Sequence, residues 1–222
     1  MKGRTRGSVG RAGITLALLA MVGVLSACSL LAPSRTPEIR LFTLDDDILP
    51  AGTPRGALTV TVVPLRSAAG FDSPRMAYVL AEHQLAYFTQ SAWVESPADM
   101  LAPLLVRAVV RNGVFRASVS PGSTARSDVQ LESELLLLQQ EFDQHPSRVR
   151  LAVRVSLVAN AGRRILATRV FQSVADADSE DAAGGVAAAN LAARQLVTDI
   201  ADWSGMVAVA EHSKHPGNET GH

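Results

Sequence analysis

GFDSPRMAYVLAEHQLAYFTQSAWVESPADMLAPLL, residues 70–105, shows the change from strand to helix more plainly than any other part of the chain. Ser96-Pro97-Ala98-Asp99 supplies an N-cap serine, a proline at the first helical position, and an acid at N3 that can bond back to the cap. Met100, Leu101, Leu104, Leu105 and Ala108 follow at helical spacing and make one apolar face. Ahead of the cap, residues 84–94 are aromatic and apolar and read as a strand. A shorter strand, 76–80, precedes it, with the lone His83 in the turn between them. A strand therefore feeds straight into a capped helix, with Trp93 at the junction.

Working outward, the helix closes at Asn112-Gly113 behind Arg107 and Arg111, two cations suited to its C-terminal dipole. Residues 114–119 leave it as a strand. On the N-terminal side 39–44 and 58–65 are strands, the second β-branched and stopped by Pro64. Between them Asp45-Asp46-Asp47 reads as a solvated turn, since it lacks the glycine-punctuated ligand loop of a calcium site. Residues 128–142 and 148–158 are two extended runs about a turn at 143–147, a hairpin. In the second run Val149, Leu151, Val153, Val155 and Leu157 face one way. Arg148, Arg150 and Arg154 face the other, opposite Gln130, Glu132 and Glu134 of the first run.

That polar row reads as a solvated acid–base face or as a stripe that docks anionic headgroups or a partner. Leu135-Leu136-Leu137-Leu138 breaks the alternation, and burial on both faces under helices is expected there; the alternative is a face turned to a partner. Residues 165–171 complete an antiparallel meander. The last helix spans 179–204, with Ser179 as cap and Glu180 and Asp181 in its first turn. Gly184-Gly185 weakens its start by about 1 kcal/mol per glycine. Pattern alone gives an α/β or α+β domain of two main helices and six or seven strands, from Ile39 to about residue 205. The remainder, 206–222, reads as a disordered tail, with His212 and His215 its only helical-spacing histidine pair.

The N-terminus carries a different message. Lys2, Arg4, Arg6 and Arg11 precede an uncharged run, 12–27, too short for a comfortable membrane span. A basic region before a short apolar one is a secretory signal peptide, here residues 1–27. It ends Leu25-Ser26-Ala27-Cys28, a lipobox whose cysteine takes a thioether-linked diacylglycerol and, after cleavage, a further acyl chain (palmitate is the type expected) on the freed amine. Multiple chains exceed the two signals that stable anchoring takes. Residues 28–38 then read as the lipidated cysteine and a tether of roughly 20 to 35 Å. Cys28 is the only cysteine, so its acylation leaves no disulfide, thiolate nucleophile or cysteine metal site. Loss of the four leader cations leaves 17 basic residues against 21 acids, a formal charge of −4 and no nucleic-acid footprint. Ser29 after the acylated cysteine, rather than aspartate, favours the periplasmic face of the outer membrane over the inner.

Several words of this sequence, in order, resemble those of the ABC-type transport auxiliary lipoproteins. They are Val62-Val63-Pro64-Leu65, Gly70-Phe71-Asp72-Ser73-Pro74-Arg75-Met76-Ala77-Tyr78, Tyr87-Phe88, Trp93-Val94, Pro97 through Leu105, Ala188-Ala189-Asn190-Leu191 and Ile200-Ala201-Asp202-Trp203. After Tyr78 the chain reads Val79-Leu80, where many relatives carry an arginine. The resemblance implies an α/β fold, a three-layer α/β/α sandwich with a mixed sheet, anticodon-binding-domain-like and similar to the N-terminal domain of TolB. It implies a non-catalytic subunit of an intermembrane lipid transport system. The partners would be an MCE-domain periplasmic protein and, through it, a permease and an ATPase. A homo-oligomeric ring is a further implication.

No GxSxG, HExxH, Walker A or GxGxxG pattern occurs in its required context, so no catalytic, cofactor or metal residue is expected. Phe71, Arg75, Tyr78 and Trp93 are the candidate partner-binding residues, forming or supporting that face, because loop-borne aromatics and arginine anchor interfaces; a place in the core is the competing reading for Tyr78 and Trp93. Two other roles compete: an envelope-integrity or assembly adaptor that binds only protein, and a direct lipid carrier, which needs an internal cavity.

Overall fold

The computed structural model describes residues 38–44 and 56–214. The chain divides into two compact units, Met1–Glu38 and Ile39–His222, and the fold below belongs to the second. The lipobox, the Asp45-Asp46-Asp47 cluster and His215 lie outside the described residues.

Among the described residues, nine strands and two α-helices follow in the order β1 (Arg40–Phe42), β2 (Leu58–Val62), β3 (Arg66–Ser67), β4 (Arg75–Val79), β5 (Leu85–Trp93), α1 (Pro97–Arg111), β6 (Phe115–Ser118), β7 (Val129–Glu141), β8 (Arg148–Ala159), β9 (Arg164–Asp176) and α2 (Ala182–Lys214). They make one mixed sheet organised by β7. Along one edge β7 pairs antiparallel with β8, and β8 in turn with β9. Its other edge is shared by three short parallel strands placed end to end. β2 takes Val129 to Leu131, β3 takes Glu134 and Leu135, and β4 takes Gln139 to Glu141. β6 extends the sheet beyond β2, and β5 and β1 extend it beyond β4. The α/β class, the mixed sheet and the single domain stand as expected. β3 had no signal of its own, because two residues cannot show a period.

The Leu135–Leu138 run has a different cause from the one expected. The register passes from Leu135↔Val153 to Leu137↔Ala152, so Leu136 is the extra residue of a β-bulge. Before it Val129, Leu131, Ser133 and Leu135 point to the core; after it Leu138 and Gln140 do. Leu136 and Leu137 are only half-buried, and no second helical layer is needed to explain them. The parity switch also decides which acids meet arginines. Glu134 pairs with Arg154 at 2.7 Å on the near side of the bulge, and Glu141 with Arg148 at 3.0 Å on the far side.

Both helices belong to one core. α1 buries Met100, Leu101, Leu104, Leu105 and Ala108, and α2 buries Ala188, Ala189, Ala192, Ala193, Leu196, Val197 and Ile200. Small side chains let α2 sit close to its neighbours. At Gly205 a Cβ would lie 2.7 Å from Asn112 Oδ1, where Asn112 at the end of α1 donates to Asp202 at 2.7 Å. The α1 cap forms as read: the Asp99 amide donates to Ser96 Oγ, and that hydroxyl donates to Asp99 Oδ2 at 2.6 Å.

Two readings of α2 are corrected. Its cap is Asp181, whose Oδ1 accepts from the Gly184 amide at 2.9 Å, so Ser179 is two residues too early. Glu180 instead reaches the Ser147 amide at 2.8 Å. At the other end the helix continues to Lys214, so 206–214 are no disordered tail. Ala208 is buried, Val207 packs against the core, and Glu211 pairs with Arg164. The polar stretch 211–222 masked the apolar Met206-Val207-Ala208-Val209-Ala210 that precedes it. Gly184-Gly185 gains a reason as well: a Cβ at Gly185 would stand 2.2 Å from Oε1 of the buried Gln140.

Candidate docking face on the β4–β5 hairpin

The candidate partner residues gather about one loop and one hairpin. Residues 68–74 fold over β5, held by the Tyr87 hydroxyl donating to the Gly70 carbonyl at 3.0 Å. Gly70 has φ +92°, and a Cβ there would meet Leu85 at 3.3 Å and the Tyr87 hydroxyl at 3.4 Å. Glycine alone meets both demands. The β4–β5 ladder is irregular: Ala77 pairs with Tyr87 but Arg75 with Ala92, so residues 88–91 of β5 stand opposite Met76 alone. The Arg75 guanidinium lies 3.8 Å from the Tyr87 ring centroid, a cation–π contact. Its Nε donates to Ser73 Oγ at 3.4 Å.

Phe71 is half-buried against the core, and Arg75 is exposed. Tyr78 belongs to a neighbouring aromatic cluster, 4.8 Å from Phe88 and 6.0 Å from Phe142 between ring centroids. Trp93 is 4% exposed and its amide donates to the Pro74 carbonyl at 2.8 Å. It has no surface to offer a partner; as a docking residue that expectation is corrected, and its place is beneath the face. The aromatic at the end of a strand that enters a capped helix is driven into the core between them.

Sequence reasoning missed Tyr87 as the organiser of the loop. It also missed the apolar rim: Leu80, Leu85 and Val94 around the hairpin, Leu41 on the adjoining β1 and Ile39 just before it are all exposed. Leu41 lies across from Ala92, which pairs with Arg75, so rim and arginine share one row. The signal available was Leu80 and Leu85 flanking a turn at His83, which adopts φ +65°.

The strongest electrostatic feature stands on the far half of the meander. Glu141, 4% exposed, accepts from Gln139 Nε2 at 2.8 Å, Arg148 Nε at 3.0 Å and Arg150 Nε at 2.7 Å. Burial pushes its pKa up, but these three donors outweigh burial and hold it below the ordinary value. Glu180 is also held low, first by the Ser147 amide. Among the described residues no group of three or more histidine, cysteine or acidic side chains stands together as a metal site. None of their helices is long and apolar enough to cross a membrane.

A single mixed-sheet α/β domain with an apolar-rimmed hairpin face is thus the class of protein that the fold and the site define. A model for ABC-type transport auxiliary lipoprotein components matches residues 42–201, and the chain belongs to that family. Solved structures share the fold at low identity. Protein XCC0632 from Xanthomonas campestris superposes with a TM-score of 0.66 at 22% identity, over 80% of this chain and 97% of that one. Protein CT253 from Chlamydia trachomatis gives a TM-score of 0.51 at 10% identity, over 70% of this chain and 99% of that one. No curated protein matches.

Proposed function

We propose that the protein is a non-catalytic, acyl-anchored subunit of an MCE-type intermembrane lipid transport system. It sits on the periplasmic face of the outer membrane and docks the periplasm-spanning component. The observation that carries this reading is the coincidence of a lipobox at Leu25-Ser26-Ala27-Cys28 with a family match to a transport auxiliary component. Cys28 supplies the anchor, the MCE-domain protein is the partner, and permease and ATPase are reached through it. Phe71, Arg75 and the rim of Leu80, Leu85 and Leu41 supply the docking face, with Tyr87 and Trp93 as its support. An arginine stacked on a tyrosine amid exposed apolar side chains is the composition from which interface hot spots are made.

Cavity size argues for docking over direct carriage of lipid. The apolar cavity between Met76, Phe88, Trp93, Leu138, Val149 and Ala189 measures about 10 Å³, room for about one water and not for an acyl chain. The larger concavity, about 1060 Å³, is an open groove with Arg126, Arg163, Asp128 and Glu211 in its walls.

Crosslinking of the native, acylated protein in cells, followed by mass spectrometry, tests the reading. Recovery of an MCE-domain protein is the expected result; recovery of only envelope-assembly proteins would move the function to the adaptor class. The anchor is tested separately by Cys28→Ala, which should leave unprocessed precursor at the inner membrane. Normal processing and outer-membrane sorting of that variant would overturn the lipoprotein assignment.

A further inference from the structure

Charge is divided between the two ends of β7. Its 13 residues, at about 3.3 Å each, put those ends about 40 Å apart. The β4–β5 hairpin stands at the Glu141 end, where β4 pairs with Gln139 to Glu141. Glu82, Asp143, Asp176, Asp178, Glu180 and Asp181 gather there, and the arginines beside them, Arg148 and Arg150, are already held by Glu141. The Val129 end has the opposite sign. The open groove of about 1060 Å³ lies at that end, between the loop 119–128, the turn 160–163 and the last turns of α2. The acids of its walls are both engaged. Asp128 accepts from the Thr59 amide at 2.6 Å and the Thr59 hydroxyl at 2.7 Å, and Glu211 pairs with Arg164. Arg126 and Arg163 are exposed in the same walls and have no acid partner among the described residues. Lys214 lies within one turn of His212, which also lines the groove. The loop has a fixed base. Ser127, 7% exposed, accepts from Asn160 Nδ2 at 2.8 Å and stands 2.8 Å from Thr61 Oγ1, which holds the backbone beside Arg126 in place.

We propose that this groove takes the phosphate of an anionic phospholipid headgroup at the surface of the anchoring membrane, so that the Val129 end faces the bilayer and the hairpin faces away from it. Guanidinium groups meet phosphate oxygens through paired N–H donors, and Arg126 and Arg163 are the two left to do so. Hydroxyls of Ser120, Ser123 and Thr124 line the same walls. An open mouth admits a headgroup while its acyl chains stay in the bilayer, so no lipid need leave the membrane. Charge selects the membrane as occupant: an anionic surface attracts the basic end and repels the acidic one, which orients the domain. The inference rests on the acyl-anchored reading for the nearness of the bilayer, since a tether of roughly 20 to 35 Å keeps either end within reach of it. The hairpin is then presented to the periplasm, where its partner would arrive.

Cys28 is the only cysteine, so its acylation leaves an engineered thiol as the single site for a dye. The full, acylated chain is labelled at Thr124→Cys beside the groove or at Ala81→Cys in the hairpin turn, both exposed. Energy transfer to an acceptor on lipid headgroups then reports which end lies nearer the bilayer. On phosphatidylcholine vesicles containing phosphatidylglycerol, transfer should be stronger from Thr124→Cys. On phosphatidylcholine alone the two positions should differ little, and high salt should erase the difference on the anionic vesicles. Arg126→Glu/Arg163→Glu should also erase it, with the melting temperature and flotation on neutral vesicles unchanged, because fold and anchor are intact. Equal transfer from both positions on anionic vesicles, a preference for Ala81→Cys, or the same preference on neutral vesicles would each overturn the proposal. Displacement by polyglutamate, where chloride at equal ionic strength has no effect, would assign the groove to an acidic protein instead. Failure of the wild-type chain to float on neutral vesicles would overturn the anchor alone. Flotation on phosphatidylglycerol vesicles then reads the groove, and the double reversal should lower it by about thirtyfold or more, the worth of two cations at an anionic surface.

Discussion

The β7–β8–β9 meander and the β4–β5 hairpin solve the same task, antiparallel pairing, in opposite ways. In the meander β8 has a near-continuous ladder on both sides, and its inward row of Val149, Leu151, Val153, Val155 and Leu157 is buried throughout. Polar positions on its other face are matched, arginine to glutamate. In the hairpin the ladder slips by several residues, an arginine stacks on a tyrosine in place of pairing with an acid, and leucines point outward. Regularity goes with stability, and irregularity with a surface left free for something else.

The largest effect that would uphold this contrast lies at the centre of the meander. Leu151→Ala deletes a fully buried side chain and should cost about 2 to 5 kcal/mol, a melting shift of roughly 5 to 15 °C. A loss below 1 kcal/mol in chemical denaturation would show that the meander is not the stabilising region. Next comes Glu141→Ala, which takes from Arg148 and Arg150 the carboxylate they share and should cost about 2 kcal/mol. The same carboxylate fixes a pH dependence. Its pKa is lowered in the fold from an ordinary value of 4.5, so its stabilisation is full above that pH and is lost as pH falls through the lowered value. Glu141→Gln should flatten that acid limb of the stability curve; an unaltered limb would assign it to other carboxylates.

Arg75→Ala, in the hairpin, should change stability by no more than about 1 kcal/mol, the worth of an exposed cation–π contact, while sharply reducing recovery of the crosslinked partner. A large melting loss with intact crosslinking would make Arg75 a structural residue. Smallest of all, Leu80→Ser should stay within about 0.5 kcal/mol, because the side chain is 60% exposed, yet still weaken docking.

How much of this was legible follows the same division. The cap at Ser96, the apolar face of α1 and the inward row of β8 could all be read directly, because each is set by a local period or a local hydrogen bond. Leu136 could not, since a bulge shifts register without any change in composition. Glu141 was hidden behind it, as counting alternate residues from Gln130 puts it on the wrong side. Gly185 looked like a weakness in a helix until Gln140, forty-five positions earlier, was seen to occupy its missing side chain. Of the candidate site, Phe71 and Arg75 can be placed on the loop from sequence, but whether Trp93 forms the face or supports it is decided only by packing. Tyr87 acquires its role from Gly70 and Arg75, which reach it by a loop whose path no spacing records.

The way three short strands share one edge of β7 also bears on how the protein is made. Thr59 bonds to Asp128 across 69 residues of chain, and β3 and β4 likewise wait for partners far ahead of them. During synthesis these segments emerge first, and the β7 edge that they share is complete only when residue 141 has followed. More than half of the domain must then be kept unaggregated before its sheet can close, so completion of the fold waits on one strand late in the chain.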